Sequence, residues 1–200
     1  FFIIFLIYKL FNLFIYKMII KIIGSGSAGN HIAFAFERYA KKIFMFDLSK
    51  NELSRSKKIY ISRYKKWNNN IVQSSKIDDK KIYDLVIISS PPSTHLNILK
   101  KNIQNSNNFL IEKPLSEPSD KAIKGFLRIK KDFKNKNFFC GYNHRLFPST
   151  QKLKEIIENQ KIGLDTIEVN FKENTGGFLK AHYWLKDLSK SYLSKYKEGG

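Results

Sequence analysis

Between Met18 and Tyr142 the chain repeats one pattern: a short, nearly continuous apolar run, a break rich in Gly, Ser, Pro or charge, then a longer mixed segment. The apolar runs are MIIKII (18–23), KKIFMFD (41–47), LVIIS (85–89), FLI (109–111) and FFCGY (138–142). Runs of this length and composition fit strands covered on both faces, as parallel strands between two helical layers must be. The segments NHIAFAFERYA (30–40), the charged stretch from Lys50 to Trp67 and HLNILKKNIQ (95–104) are expected to be helices. NNNIVQSS (68–75) reads as loop, short strand and loop. Such alternation predicts an α/β fold with a doubly wound parallel sheet. STQKLKEIIENQ (149–160) is a further expected helix, with Ser149 or Thr150 as its N-cap. It leads toward a second α/β unit, whose first strand is expected in DTIEVNFKEN (165–174).

The first break has a spacing with its own chemistry. GSGSAG places Gly24, Gly26 and Gly29 in the order G-x-G-x-x-G between a strand and a helix, with Ser25, Ser27 and Ala28 between them, and all six are expected cofactor contacts. Asp47 ends the next strand, eighteen residues beyond Gly29. In a Rossmann-type sheet the first glycine permits a tight turn, the second lets backbone approach a pyrophosphate, and the third lets helix and strand pack closely. The helix N-terminus presents unpaired N–H groups to the phosphates. A carboxylate at Asp47 accepts hydrogen bonds from a ribose 2′-OH and repels a 2′-phosphate. NAD is therefore the expected cofactor, with NADP as the alternative. The plainer alternative is a tight turn in another α/β protein, methyltransferases being the main competitor. His31, near the start of the helix, reads as a solvated or phosphate-edge residue.

Two later strand tips point into the same region, because ligands of an open parallel sheet bind outside the carboxyl ends of its strands. At the tip of LVIIS, Ser89, Ser90 and Pro91 are expected to border the cofactor, with Pro92 beside them, and His95, which opens the following helix, is a further expected cofactor contact. Ser93 and Thr94 are candidate caps for that helix. The competing reading is that the prolines end a strand and His95 packs. FLIEKPLS (109–116) ends its apolar run in Glu112, Lys113 and Pro114. An ammonium at such a tip can stabilise or protonate an alkoxide formed by hydride transfer, and burial would tune it for that task. A solvated lysine is the alternative in a chain so rich in them.

GSGSAG with Asp47, then DLVIISSPPSTH, IEKPLS and GYNHRLFP, closely resembles the glucose-fructose oxidoreductase, inositol dehydrogenase and MocA family from Met18 onward. The resemblance implies an NAD(P)-binding Rossmann domain over 18–146 and the start of a substrate and oligomerisation domain over 147–200. It further implies hydride transfer to or from a hydroxyl or keto group of a sugar or polyol, and a homo-oligomer. By match to the motif, Lys113 takes the place of the family's active-site lysine, Glu112 and Pro114 shape its turn, and Lys113-Pro114 is a candidate cis bond. Asn143 and Arg145 match a segment near the nicotinamide and substrate, and strand alternation would turn His144 away from them. The family's aspartate and histidine for substrate binding and proton transfer are expected past Gly200, so the chain reads as a fragment. His182 in KAHYWLKD does not fit that motif. A non-catalytic dinucleotide-binding sensor of the same fold is the second reading.

Composition changes this picture little. A net charge of +19 and a pI near 9.9 suggest nucleic acid or an anionic membrane, but the lysines are scattered and no nucleic-acid module accompanies them. Neither partner is expected. The single cysteine, Cys140, fits a reducing cytoplasm and a packing role. No metal-ligand cluster is expected. Residues 1–17 are apolar but interrupted by Lys9 and Asn12, which suits neither a spanning helix nor a cleaved leader. Met18 is the expected native start. The aromatic stretch from Gly176 to Gly200 reads as a loop that either faces carbohydrate or packs.

Overall fold

The structure is a computed structural model and describes residues 18–76, 80–159, 166, 168, 170, 172, 174–181, 186–191 and 194. The N-terminal apolar run, most of the strand expected over 165–174, His182 and the terminal KEGG lie outside the described residues.

Among the described residues, six strands form one parallel sheet: β1 Met18–Ile23, β2 Ala40–Phe46, β3 Ile71–Ser74, β4 Leu85–Ile88, β5 Asn108–Ile111 and β6 Asn137–Cys140. Their order is β3-β2-β1-β4-β5-β6. The chain therefore builds outward from β1 in one direction, then crosses back and builds outward in the other. That reversal falls between β1 and β4, where an open α/β sheet leaves its crevice. The helices are α1 Ser27–Phe36, α2 Lys50–Tyr64, α3 His95–Asn102, α4 Asp120–Asp132, α5 Pro148–Asn159 and α6 Thr175–Ala181.

The apolar runs are continuous because both faces of the sheet are covered. On one face Ile20, Ile22, Ile43, Met45, Leu85 and Ile87 pack with Ile32, Phe36 and Tyr60 of α1 and α2. On the other, Val86, Ile88, Phe109 and Ile111 pack with Leu99 of α3 and Ile129 of α4. Each fully buried isoleucine contributes about 1.5–3 kcal/mol relative to an exposed one. One charge interrupts this scheme. Lys21 in β1 is 0% exposed, donates to Asn102 Oδ1 at 2.6 Å, and holds its ammonium 5.3 Å from the ring centres of Phe46 and Tyr83.

Helix boundaries depart from expectation where short polar side chains find other partners. α1 begins three residues earlier than expected, inside the glycine-rich segment, and ends at Phe36, so that Ala40 starts β2. Thr94 stands at the N-cap of α3 without capping it, because its hydroxyl donates to the Pro91 carbonyl at 2.7 Å. A 3₁₀ turn over Pro92–Thr94 precedes that helix and contains Ser93. α5 starts at Pro148, a favoured first helical residue, so Ser149 and Thr150 sit inside its first turn rather than capping it. Within the expected aromatic loop, Thr175–Ala181 is helical. The sequence pattern also passed over α4, although Ser119 caps it by accepting from Ala122 N at 3.2 Å, and Asp120 and Lys130–Lys131 complement its dipole.

Candidate functional site

The tips of β1 and β4 are pressed together. Gly24 has φ +105, and a Cβ there would lie 2.6 Å from the Ser89 carbonyl carbon and 2.7 Å from Ser90 N. Gly24 N donates to Phe46 O at 2.8 Å, and Ser89 Oγ donates to Gly24 O at 3.0 Å. A Cβ on Gly29 would fall 2.2 Å from Gly24 O and 3.0 Å from Ser89 Oγ. Both glycines are thus demanded by the protein's own backbone. Gly26 is different. Its φ of −67 and ψ of −168 suit any residue, and nothing lies within 4 Å of a Cβ built there. It precedes α1, whose N-terminus has no side-chain cap and no acidic residue in its first turn. Open space over a helix N-terminus is what a pyrophosphate requires.

Asp47 sits at the tip of β2, half-buried. Its Oδ2 accepts from Ser25 N at 3.0 Å and Ser25 Oγ at 2.8 Å, and its Oδ1 accepts from Ser49 N at 3.0 Å. The carboxylate therefore fixes the glycine-rich loop as well as marking the strand end. Ser25 is 2% exposed and directs both its donors at Asp47, which leaves its side chain no face for a ligand. Ser27 and Ala28 are partly exposed on the first turn of α1. Arg63, from the far end of α2, approaches Ser27 Oγ at 3.3 Å and His31 Nε2 at 2.7 Å, while Tyr64 OH lies 2.6 Å from His31 Nδ1. Sequence reasoning missed Arg63, because thirty-six residues separate it from Ser27.

On the other side of the crevice, Glu112 continues β5 by donating its N–H to Ile88 O at 2.8 Å. Its carboxyl lies over Gly141, where a Cβ would be 3.3 Å from Oε1, and Oε2 accepts from Lys113 N at 3.0 Å. Burial pushes this carboxyl above the usual carboxylate range, an effect opposed by the Lys113 N–H, the Lys113 charge and the His95 ring. The Lys113-Pro114 bond is cis. Lys113 is exposed, so the dry surroundings invoked for it from sequence are not supplied by the described residues. Tyr142 OH accepts from Leu115 N at 3.3 Å and ties the β5 and β6 loops together.

Ser90 and Pro91 line the β4 tip, Ser90 Oγ lying 2.7 Å from Thr94 Oγ1 and Pro91 being exposed. His95, at the start of α3, is 0% exposed. Asn143 and Arg145 are exposed on a 3₁₀ turn over Asn143–Leu146. Because that segment is a turn, strand alternation does not apply to His144, whose ring lies 4.8 Å from that of Phe147.

Cys140, at the end of β6, has its thiol pushed up to about 11 by burial, with the Gly141 N–H opposing and the Glu112 charge adding to the rise. Its reaction with a disulfide reagent at pH 8 is expected to be about 100-fold slower in the native protein than in denaturant, since only the thiolate attacks. Equal rates, followed by absorbance of the released thiol, would contradict the burial described. Among the described residues, no group of three or more His, Cys, Asp or Glu is placed to hold a metal ion, and no helix is long and apolar enough to cross a membrane.

A 3-2-1-4-5-6 parallel sheet, a glycine-rich turn opening onto a helix and an acidic second-strand tip define a Rossmann fold of the dinucleotide-binding class. Residues 18–139 match the sequence model of GFO_IDH_MocA, described as an oxidoreductase family with an NAD-binding Rossmann fold, and the chain belongs to that family. Over 80 residues it is 29% identical to the uncharacterised oxidoreductase YrbE of Bacillus subtilis (strain 168), covering 40% of this chain and 23% of that protein. Scyllo-inositol dehydrogenase from Lactobacillus casei, solved with NAD(H) and scyllo-inositol, shares the fold at TM-score 0.57 and 22% identity, over 74% of this chain and 42% of that one. UDP-N-acetylglucosamine 3-dehydrogenase GnnA from Acidithiobacillus ferrooxidans does so at TM-score 0.52 and 19% identity, over 71% and 42%. The chain thus spans less than half the length of these relatives.

Proposed function

We propose that this chain is the cofactor-binding part of an NAD-dependent oxidoreductase that moves a hydride between a nicotinamide and a hydroxyl or keto carbon of a sugar, polyol or sugar derivative. The observation that carries the cofactor half is Gly26: its glycine meets no need of the protein's own backbone, a Cβ there would enter open space, and it immediately precedes the uncapped start of α1. The residues present fit a dinucleotide. Backbone N–H groups of Ser27, Ala28 and Gly29 would receive the pyrophosphate, Asp47 the adenosine ribose, and Ser89, Ser90 and Pro91 would border the nicotinamide half. Bound NAD would supply the hydride acceptor.

The remaining chemistry falls to the chain's own side chains. In the oxidising direction Lys113 Nζ takes the hydroxyl proton as the hydride leaves the substrate carbon and C=O forms; in the reducing direction it returns a proton to the oxygen as C–OH forms. Glu112 fixes the turn by accepting the Lys113 N–H. Asn143 and Arg145, exposed donors beyond β6, are suited to orient a hydroxyl-rich substrate or the nicotinamide amide. The polyol class is supported by family membership and by relatives named as inositol and sugar-nucleotide dehydrogenases.

Calorimetric titration of NAD and NADP, with Asp47→Ala as comparison, tests the cofactor assignment. NAD is expected to bind more tightly than NADP. Asp47→Ala is expected to weaken NAD by about 10-fold or more, as loss of a charged hydrogen-bond acceptor does. Because Asp47 also holds Ser25, loosening of the loop alone would weaken both nucleotides equally. The diagnostic quantity is therefore the ratio, which should narrow toward NADP. A folded sample that binds neither nucleotide overturns the proposal.

A further inference from the structure

His95 is fully buried at the start of α3, yet both of its ring nitrogens face oxygen. Nε2 lies 2.7 Å from Ser90 O, and Nδ1 lies 3.1 Å from Pro114 O and 3.3 Å from Leu115 O. Carbonyl oxygens only accept. A neutral imidazole has one N–H, so either tautomer would set a bare nitrogen lone pair against an oxygen lone pair with no water between. Only the imidazolium satisfies all of these contacts.

We propose that His95 is a positioning residue, held as an imidazolium, that clamps the β4 tip at Ser90 to the β5 tip at Pro114 and Leu115. A buried cation needs an opposing charge, and the groups around the ring supply one. Glu112, just past β5, interacts electrostatically with His95, and its carboxyl is largely buried. Lys113 is the other charge on that tip; Cys140 and Tyr142 of the β6 side reach it through Glu112 and Leu115. The clamp joins residues from two elements that β4–β5 pairing alone does not fix, because both loops begin after the ladder ends at Ile88 and Ile111. Its functional consequence rests on the cofactor reading above: one end of the clamp borders the proposed nicotinamide site, and the other sets Lys113.

Nitrogen-15 NMR of the histidine ring in the unliganded chain at pH 7 decides the protonation state without reference to any ligand. Both nitrogens are expected to carry protons; one bare nitrogen overturns the proposal. A second readout tests positioning. NAD affinity is expected to fall about three- to ten-fold, the worth of one hydrogen bond, across the pH step at which the ring spectrum shows one nitrogen losing its proton. That step is expected to disappear in His95→Gln, which has no ring to titrate. A step that persists unchanged in His95→Gln overturns the positioning role. Absence of NAD binding at every pH would count against the proposed function while the ring spectrum still reports on the clamp.

Discussion

Adding a methyl group at Gly29 is expected to destabilise the chain, and adding one at Gly26 is expected to leave stability unchanged while weakening NAD binding. At Gly29 the new carbon meets a backbone oxygen at 2.2 Å, which no rotamer change relieves. Overpacking of this kind costs about 1–3 kcal/mol or more, equivalent to a fall of roughly 2–4 °C in the thermal midpoint per kcal/mol for a chain of this size. At Gly26 the methyl group enters open space, so the midpoint of Gly26→Ala should match that of the parent. Its NAD affinity should fall at least about 10-fold, because the same space is where the pyrophosphate must approach the backbone. Thermal unfolding and nucleotide titration on both variants separate the two effects. If Gly26→Ala proves as unstable as Gly29→Ala, the glycine serves the fold, and the main support for the cofactor site is lost.

The largest expected effect on turnover lies at Lys113. In the enzymatically competent protein, Lys113→Ala is expected to lower kcat by about 10²–10⁴, the usual range for a positioned acid–base group. NAD affinity should change far less. Lys113→Arg should recover little, since the bulkier planar guanidinium does not place a donor where the compact ammonium does. The comparison to make is single-turnover hydride transfer at saturating NAD, followed by nicotinamide absorbance. An unchanged rate in Lys113→Ala would assign the lysine to the solvated surface.

The sheet was legible because burial on two faces leaves little choice of residue: LVII and FLI are apolar at every position and too short for helices of ordinary length. The meeting of GSGSAG, Ser89 and Glu112 at one end of the sheet was legible from topology alone, since all follow parallel strands. What escaped were partners set by distance through space. Nothing near Asp47 in sequence announces Ser25, nothing near Ser27 announces Arg63, and the Pro114 carbonyl facing His95 lies nineteen residues on. Helix ends escaped for a different reason. A serine or threonine has several local carbonyls and N–H groups within reach, and Thr94 took the Pro91 carbonyl in preference to capping. Burial, too, is invisible in a single residue's type: nothing in the sequence announces that His95 and Ser25 are buried.

The lysine buried in β1 bears on how the chain finds this fold among its near neighbours. β1 is the central strand, paired with β2 and β4, and its residues Ile20, Lys21 and Ile22 sit opposite Ile43, Phe44 and Met45. Isoleucines would tolerate either face, so a strand made only of them could slip by one residue at small cost. A slip of that size turns every side chain to the opposite face. It would carry the Lys21 ammonium away from the Asn102 oxygen and into the layer occupied by Phe36 and Tyr60. Misregistered assemblies therefore carry a stranded charge at their centre, and one polar residue acts as a proofreading mark for the alignment of the whole sheet.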